Sequence, residues 1–372
     1  MIPMGGSTLR VVVVVGTRPE AIKMAPVYLN LRSIGENVVL IATAQHREMM
    51  DMMLEVFDMK PDYDLNVMRK NQSLNYIASA VLEKVEGVLM ELDPDVVLVQ
   101  GDTTTAMAVA LASFHMGIKV GHVEAGLRSG NLRDPFPEEM NRRIIDVLAE
   151  YAFAPTRRAV NNLLNEGVER GRIHLVGNTV VDALDYVSRN YDLDSIAKTL
   201  VGEDPYMLVT LHRRENIGSK MKNVLKALRR FALDTGLKVV FPVHRNPRVR
   251  SRVYDVLGDL KNAVLMEPVN YVNFLALLKE CVFVLTDSGG IQEEAPSFGK
   301  FVVVARETTE RPELIESGWG ILAGTDEEKV YSAMKRALEF EPKGRVNPFG
   351  DGMASKRIVD IILEGEYEPF EG

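Results

Sequence analysis

Cysteine is almost absent from this chain: Cys281 stands alone among 372 residues. That excludes a disulfide scaffold and any site built on four thiolates. No apolar run approaches the roughly 18 to 20 residues needed to cross a bilayer. The run of five valines after Arg10 is too short for a secretory signal and passes straight into a glycine turn at Gly16. Neither standard nucleotide fingerprint occurs. No Gly-x-Gly-x-x-Gly follows a strand pattern and no Gly-x-x-x-x-Gly-Lys-Ser/Thr is present, which argues against NAD-dependent and P-loop chemistry. The six histidines, at 46, 115, 122, 174, 212 and 244, contain no i,i+4 pair, and His122-Val123-Glu124 lacks the Cys-x-x-Cys partner of a zinc deaminase. No metal and no cofactor are therefore expected. With 44 basic and 52 acidic side chains the net charge is −8, which argues against nucleic acid. The arginines at 213, 214, 245, 248, 250 and 252 suit a small anionic ligand or a solvated basic face. The chain reads as a soluble, cytoplasmic, globular protein.

What is present is enough apolar material, 46 % of the residues, to fill two cores. Short β-rich runs alternate with stretches of helical periodicity, the signature of parallel βαβ units. Strands are expected at Arg10–Val15, Val38–Ala44, Val96–Gln100, Ile118–Val123, Tyr151–Ala154 and Ile173–Val176. A second series is expected at Met207–Leu211, Lys238–Val243, Ala263–Met266, Val282–Thr286, Phe301–Val304 and Gly320–Leu322. Helical segments lie between them, among them Glu20–Arg32, Leu74–Leu92 and Glu138–Glu150, then Lys220–Leu233, Tyr271–Lys279, Ile291–Phe298 and Glu327–Phe340. A less regular stretch at about Arg189–Asp204 marks the hinge. The expected organisation is an N-terminal Rossmann-like domain at 1–188, completed by a helix within 354–372, and a second such domain at 189–353.

In open parallel sheets, ligands bind beyond the carboxyl ends of the strands. Six polar motifs fall there: Gly16-Thr17-Arg18-Pro19-Glu20, Gly101-Asp102-Thr103-Thr104-Thr105, His122-Val123-Glu124-Ala125-Gly126, Leu211-His212-Arg213-Arg214-Glu215-Asn216, Val243-His244-Arg245-Asn246-Pro247 and Asp287-Ser288-Gly289-Gly290. The last is a strand end, two glycines and a helix start, which is a phosphate site by construction, with Glu294 one turn in as an acceptor for a sugar hydroxyl. Taken alone it reads sooner as a Ser-capped helix with acidic first-turn residues. Asp102 alone reads as a cap for the Thr-rich helix after it. Glu138 alone reads as a first-turn acid, with Arg142 on the same helix face. Three carboxylates, Asp102, Glu124 and Glu138, on one domain edge facing a phosphate site are a better candidate for acid–base chemistry than any one of them. His212 adds positive charge and a proton carrier.

Together with Leu127-Arg128, Pro137-Glu138-Glu139-x-Asn141-Arg142 and Gln292-Glu293-Glu294, these motifs resemble those of the non-hydrolysing UDP-N-acetylglucosamine 2-epimerases, in order and from about residue 10 to 360. The resemblance implies a GT-B-like α/β fold, two doubly wound Rossmann-like domains facing an interdomain cleft, and a homodimer. It implies reversible conversion of UDP-GlcNAc to UDP-ManNAc, as used in polysaccharide biosynthesis. It places catalytic roles on Asp102, Glu124 and Glu138, with Arg142 and His212 beside them. UDP contacts fall on Arg18, Lys23, Phe274, Ser288, Gly289, Gly290, Glu294 and Arg311. Many members bind a second UDP-GlcNAc as an activator, and Gln45, His46, Arg214 and His244 match that site. The segment Met68-Arg69-Lys70-Asn71-Gln72-Ser73 and Ala44 depart from the family's usual wording.

The chemistry fits this inventory. The C2 hydrogen of the sugar is not next to a carbonyl, so a base cannot simply remove it. Expelling UDP from C1 acidifies that proton and gives 2-acetamidoglucal, to which UDP re-adds after C2 is protonated on the other face. Donors must meet the charge on the departing diphosphate and carboxyl groups must handle the proton. The alternatives are a 2-epimerase for a modified sugar such as a 2,3-diacetamido uronate, a GT-B glycosyltransferase, a hydrolysing relative that frees ManNAc, and a UDP-sugar sensor.

Overall fold

The computed structural model describes residues 9–43, 47–69, 72–213, 218–342, 344, 346–365 and 367–371. The chain divides into two compact units, residues 1–186 with 349–372 and residues 187–348. The first holds a seven-stranded parallel sheet: β1 (Arg10–Val15), β2 (Asn37–Ala42), β3 (Tyr63–Asp64), β4 (Val96–Gln100), β5 (Lys119–Val123), β6 (Tyr151–Ala154) and β7 (Ile173–Leu175). Its order is β3-β2-β1-β4-β5-β6-β7. The second holds six parallel strands: β8 (Tyr206–Thr210), β9 (Lys238–Pro242), β10 (Ala263–Met266), β11 (Phe283–Thr286), β12 (Phe301–Val304) and β13 (Gly320–Leu322), in the order β10-β9-β8-β11-β12-β13. Both are doubly wound Rossmann-type sheets. In each, the order reverses between the first and fourth strands, β1/β4 and β8/β11, and ligand sites of such sheets lie at that reversal.

The alternation within the first strand shows how the core forms. Val12 and Val14 join Ile41, Val97 and Val99 on one face of the sheet. They pack under α3 (Leu74–Leu92) and α4 (Thr104–His115), which contribute Val81, Val85, Leu89 and Val109, and under Ile145 of α5 (Glu138–Leu148). Val11, Val13 and Val15 are buried as well and by the period-two rule face the other side. There α1 (Arg18–Ser33) packs with α2 (Arg47–Val56) and with the last helix, α15 (Ala354–Glu364). Continuous valine is what a strand covered on both faces requires. In the second unit Met207, Val209, Val239, Phe241, Phe283 and Leu285 pack against α9 (Ser219–Thr235), α10 (Pro247–Leu257) and α14 (Glu327–Leu338).

Two elements differ from the sequence expectation. The stretch 189–204, expected to be irregular, is mostly helical: the end of α7 (Thr179–Asn190), then α8 (Leu193–Val201). Asp192 caps α8 by accepting from the Ser195 amide, and Leu193, Ala197 and Val201 bury one face at four-residue spacing. The division between the units falls inside α7. Strand β3 was not expected; its two residues are strand only because they pair with Ile41 and Ala42. Among the described residues no helix is long and apolar enough to cross a membrane, and no group of three or more His, Cys, Asp or Glu could hold a metal.

Candidate active site

At the carboxyl edge of the first sheet, the turn after β1 brings Gly16 so close to Thr43 that a Cβ there would collide with the threonine hydroxyl. Thr17 caps α1 and Pro19 lies in its first turn. Buried Glu20 reaches back: one oxygen accepts from the Gly16 and Thr17 amides at 2.6 and 2.8 Å, and the other from the Thr103 hydroxyl at 2.6 Å. It thus ties the β1 turn to the β4 turn. Burial raises its pKa, and the three donors only partly offset that. Arg18 opens α1, half-buried, and Lys23 lies one turn further in, buried.

Glu124 follows β5 in the left-handed region, φ +70°, which costs a non-glycine residue about 1–2 kcal/mol. Its carboxylate is gripped at one oxygen by Lys23 Nζ at 2.5 Å and by Gln100 Nε2 at 2.7 Å. Asp102 follows Gly101, itself at φ +72°. The cap of α4 is Thr103, whose hydroxyl accepts from the Ala106 amide at 3.0 Å, so Asp102 is not needed as a cap. Its carboxylate instead receives Arg142 Nη2 at 2.5 Å, while its backbone carbonyl receives Asn141 Nδ2 at 2.9 Å.

Glu138 is the first residue of α5, and its buried Oε2 has no hydrogen-bond partner among the described residues. The acid next to it behaves differently. Burial works to raise the Glu139 pKa, but the Ser129 amide, Arg143 and Arg142 override it and hold the carboxyl below its usual range. Arg142 thus pairs with Asp102 and, at 3.3 Å, with Glu139, rather than serving only as a same-face neighbour of Glu138.

Beneath these groups His122 is fully buried, with Nδ1 2.6 Å from Asp146 Oδ1 and Nε2 2.7 Å from the Gly101 carbonyl. Asp146 also meets Arg128 at 2.7 Å. Burial works to raise the Asp146 pKa; His122 and Arg128 outweigh it and keep the carboxyl ionised.

At the carboxyl edge of the second sheet, Asp287 follows β11, fully buried, and straps the residues after β8. It accepts from the His212 amide at 3.0 Å and the Arg213 amide at 3.0 Å, with His212 Nδ1 3.3 Å away. The short helix α12 (Gly289–Glu294) starts next, and Ser288 makes no side-chain capping bond there. The amides of its first turn are therefore not taken by the serine, contrary to the simple Ser-cap reading. Gly289 lies beside two guanidinium groups: a Cβ on it would stand 3.8 Å from Arg213 Nη2 and 3.8 Å from Arg311 Cζ. Arg311 is aimed by Glu293, which receives its Nε at 2.7 Å. Two cations and a helix start at a topological switch point are groups that could receive an anion. Glu294, buried, receives the Tyr271 hydroxyl at 3.3 Å. Phe274 lies half-buried on α11 (Tyr271–Glu280). His244, exposed after β9, stacks on His212 with ring centroids 5.9 Å apart.

The family described as UDP-N-acetylglucosamine 2-epimerase matches residues 30–363. The chain belongs to this family. It is 47 % identical over 362 residues to the UDP-N-acetylglucosamine 2-epimerase of Bacillus subtilis, covering 95 % of each chain. The crystal structure of the Neisseria meningitidis UDP-GlcNAc 2-epimerase, bound to UDP-GlcNAc, is similar at TM-score 0.87 and 42 % identity over 96 % of this chain and 100 % of that one. The Methanocaldococcus jannaschii enzyme, in complex with UDP-GlcNAc and UDP, is similar at TM-score 0.82 and 37 % identity over 95 % and 99 %. With these neighbours the fold is the GT-B-like α/β class that the motifs implied.

For this member of the epimerase family, the first unit gathers Arg18, Lys23, Asp102, Glu124, Glu138 and Arg142 on one sheet edge. The second gathers His212, Ser288, Gly289, Gly290 and Arg311, with Glu294, Phe274 and His244 nearby. Gln45, His46 and Arg214 lie outside the described residues, as do Ala44, Lys70 and Asn71. Motif reading gave no separate part to Gln100, Asp146 or Glu293. Gln100 carries a signal in hindsight, as the one polar residue closing the Val-Val-Leu-Val strand. Asp146 has one too: it stands four residues past Arg142 and eight past Glu138, on their face of α5.

Proposed function

We propose that this chain interconverts UDP-GlcNAc and UDP-ManNAc without net hydrolysis, by eliminating UDP and adding it back. The observation that carries the reading is the set of three carboxylates in three different electrostatic settings on one sheet edge. Glu124 is paired with a lysine, Asp102 is paired with an arginine, and Glu138 keeps a buried oxygen with no partner among the described residues. Three carboxyl groups held by different partners at one sheet edge offer a base for the proton leaving one face of C2 and an acid for its return to the other.

In the first half-reaction the C1–O bond to the diphosphate breaks, and UDP leaves with the electron pair. A carboxylate takes the C2 proton, and the C1–C2 double bond of 2-acetamidoglucal forms. The α12 start with Arg213 and Arg311 meets the charge on the leaving diphosphate. In the second half a carboxylic acid returns a proton to the opposite face of C2, and the UDP oxygen re-forms the bond at C1. Three acids around one sugar favour this over a glycosyltransferase, which needs one base and an acceptor groove. The bound UDP-GlcNAc of the N. meningitidis relative supports the same substrate here.

We extend the proposal to a homodimer and to activation by a second UDP-GlcNAc, for which the exposed His244 stacked on His212 is the supporting feature.

The test is incubation of the chain with UDP-GlcNAc in D₂O, followed by proton NMR. UDP-ManNAc carrying deuterium at C2, with traces of 2-acetamidoglucal and UDP, is the expected outcome. Retained protium at C2 overturns the mechanism, free ManNAc as the product makes the chain a hydrolase, and no change in the substrate removes the activity.

A further inference from the structure

The three carboxylates sit on three separate elements: the turn after β4, the turn after β5 and the start of α5. Something must hold those elements in register to a fraction of an ångström, because a misplacement of about 1 Å costs a reaction on the order of 10²-fold. One side chain links all three: it is carried on β5 and bonds to the other two. His122 is the penultimate residue of β5, two before Glu124. Its Nε2 lies 2.7 Å from the carbonyl of Gly101, the residue before Asp102. Its Nδ1 lies 2.6 Å from Asp146, on the α5 face that carries Glu138 and Arg142. The ring is fully buried, so neither bond has water as a competitor.

A carbonyl can only accept, so Nε2 donates to Gly101, and Nδ1 is hydrogen-bonded to Asp146, which Arg128 holds from its other oxygen. The second grip on the Asp102 turn comes from Asn141 and Arg142, also on α5, so β5 and α5 clamp that turn from two directions.

We propose that His122, hydrogen-bonded to the Gly101 carbonyl and to Asp146, is the positioning residue that sets the mutual placement of Asp102, Glu124 and Glu138. It touches no substrate and acts through the backbone of the Asp102 turn and through α5. The inference rests on the epimerase reading above, and it adds a residue to which that reading assigns no role.

The experiment compares His122→Phe, which keeps the shape and loses both bonds, with His122→Gln, whose amide nitrogen reaches the Gly101 carbonyl. Both are made in the full-length chain and assayed with UDP-GlcNAc. His122→Phe is expected to lower kcat by about 10²-fold while KM stays within about threefold, and His122→Gln to recover at least about tenfold of that loss. A merely structural role would lower thermal stability without this split or this rescue. A folded His122→Phe with near-normal kcat, or a Gln variant no better than Phe, overturns the proposal. Should the Phe variant fail to fold, His122→Gln is compared with wild type: a lowered kcat at unchanged KM in the folded Gln variant is expected, and lost stability with unchanged kcat overturns the proposal. Wild-type protein that leaves UDP-GlcNAc unchanged would instead count against the epimerase reading itself.

Discussion

The carboxylates of the first unit are distinguished less by their identity than by their partners. Glu124 and Asp102 each face a cation at 2.5 Å, which holds the carboxylate's geometry. Among the described residues Glu138 has no such partner at its buried oxygen. The chemistry assigned to them predicts that Asp102→Asn, Glu124→Gln and Glu138→Gln each lower turnover by about 10²-fold or more with the fold intact, since each removes a proton acceptor and little volume. Steady-state kinetics with near-ultraviolet circular dichroism as the control checks this, and near-normal rates in all three would dissolve the acid set. Glu20, in the same edge, is the residue that single-motif reading undervalues: it looks like a first-turn acid and ties the β1 turn to the β4 turn.

At the scale of elements, the first unit is completed by a helix from the far end of the chain. The last helix, α15, docks on the first unit through Asp182 of α7. This residue accepts from the Ser355 amide at 2.8 Å, the Ser355 hydroxyl at 2.5 Å and the Ala354 amide at 3.3 Å. Asn30 of α1 completes the contact at the Ser355 hydroxyl. Burial pushes the Asp182 pKa up to about 6, against the pull of those donors. A folded-state pKa above the unfolded value means the folded chain keeps the proton that the unfolded chain releases. The resulting stabilisation is full below about pH 4 and is lost as pH rises through about 6. Asp182→Asn should flatten the dependence of the denaturation midpoint on pH across that window. Parallel wild-type and variant curves would show that Asp182 is not the group responsible.

At the scale of the molecule, two sheets with the same strand order but no visible sequence repeat carry different work. The first sheet offers acids at its switch point, and the second offers cations and a helix start. A ligand that binds only the folded state stabilises it by mass action, about 2.7 kcal/mol at 100 times its dissociation constant. UDP should therefore raise the Tm of the wild-type chain. Arg311→Ala should shrink that shift, and Asp102→Asn should leave most of it in place, because the diphosphate is assigned to the second sheet edge and the proton chemistry to the first. Thermal melts at one UDP concentration check the assignment. Equal shifts in wild type and Arg311→Ala would move UDP away from α12.

The alternation of strand and helix, the continuous valine of β1 and the turn residues after each strand are local properties. The sequence by itself therefore determined the two doubly wound sheets and the strand ends that carry the motifs. It also determined family membership, because the order of the motifs along the chain survives without any coordinates. Elements whose cause lies elsewhere in the chain were not legible. Strand β3 exists through its pairing with β2, and two residues cannot show a period. Helix α8 is decided by a single cap and three buried positions in an otherwise polar stretch. Only the tertiary structure decided which residue holds which. Lys23 meets Glu124 across 101 residues, Arg142 meets Asp102 across 40, and His122 reaches Gly101 across 21 and Asp146 across 24. Such pairs follow from strand order and helix crossing, which place distant residues within a hydrogen bond's length; no local pattern encodes that distance.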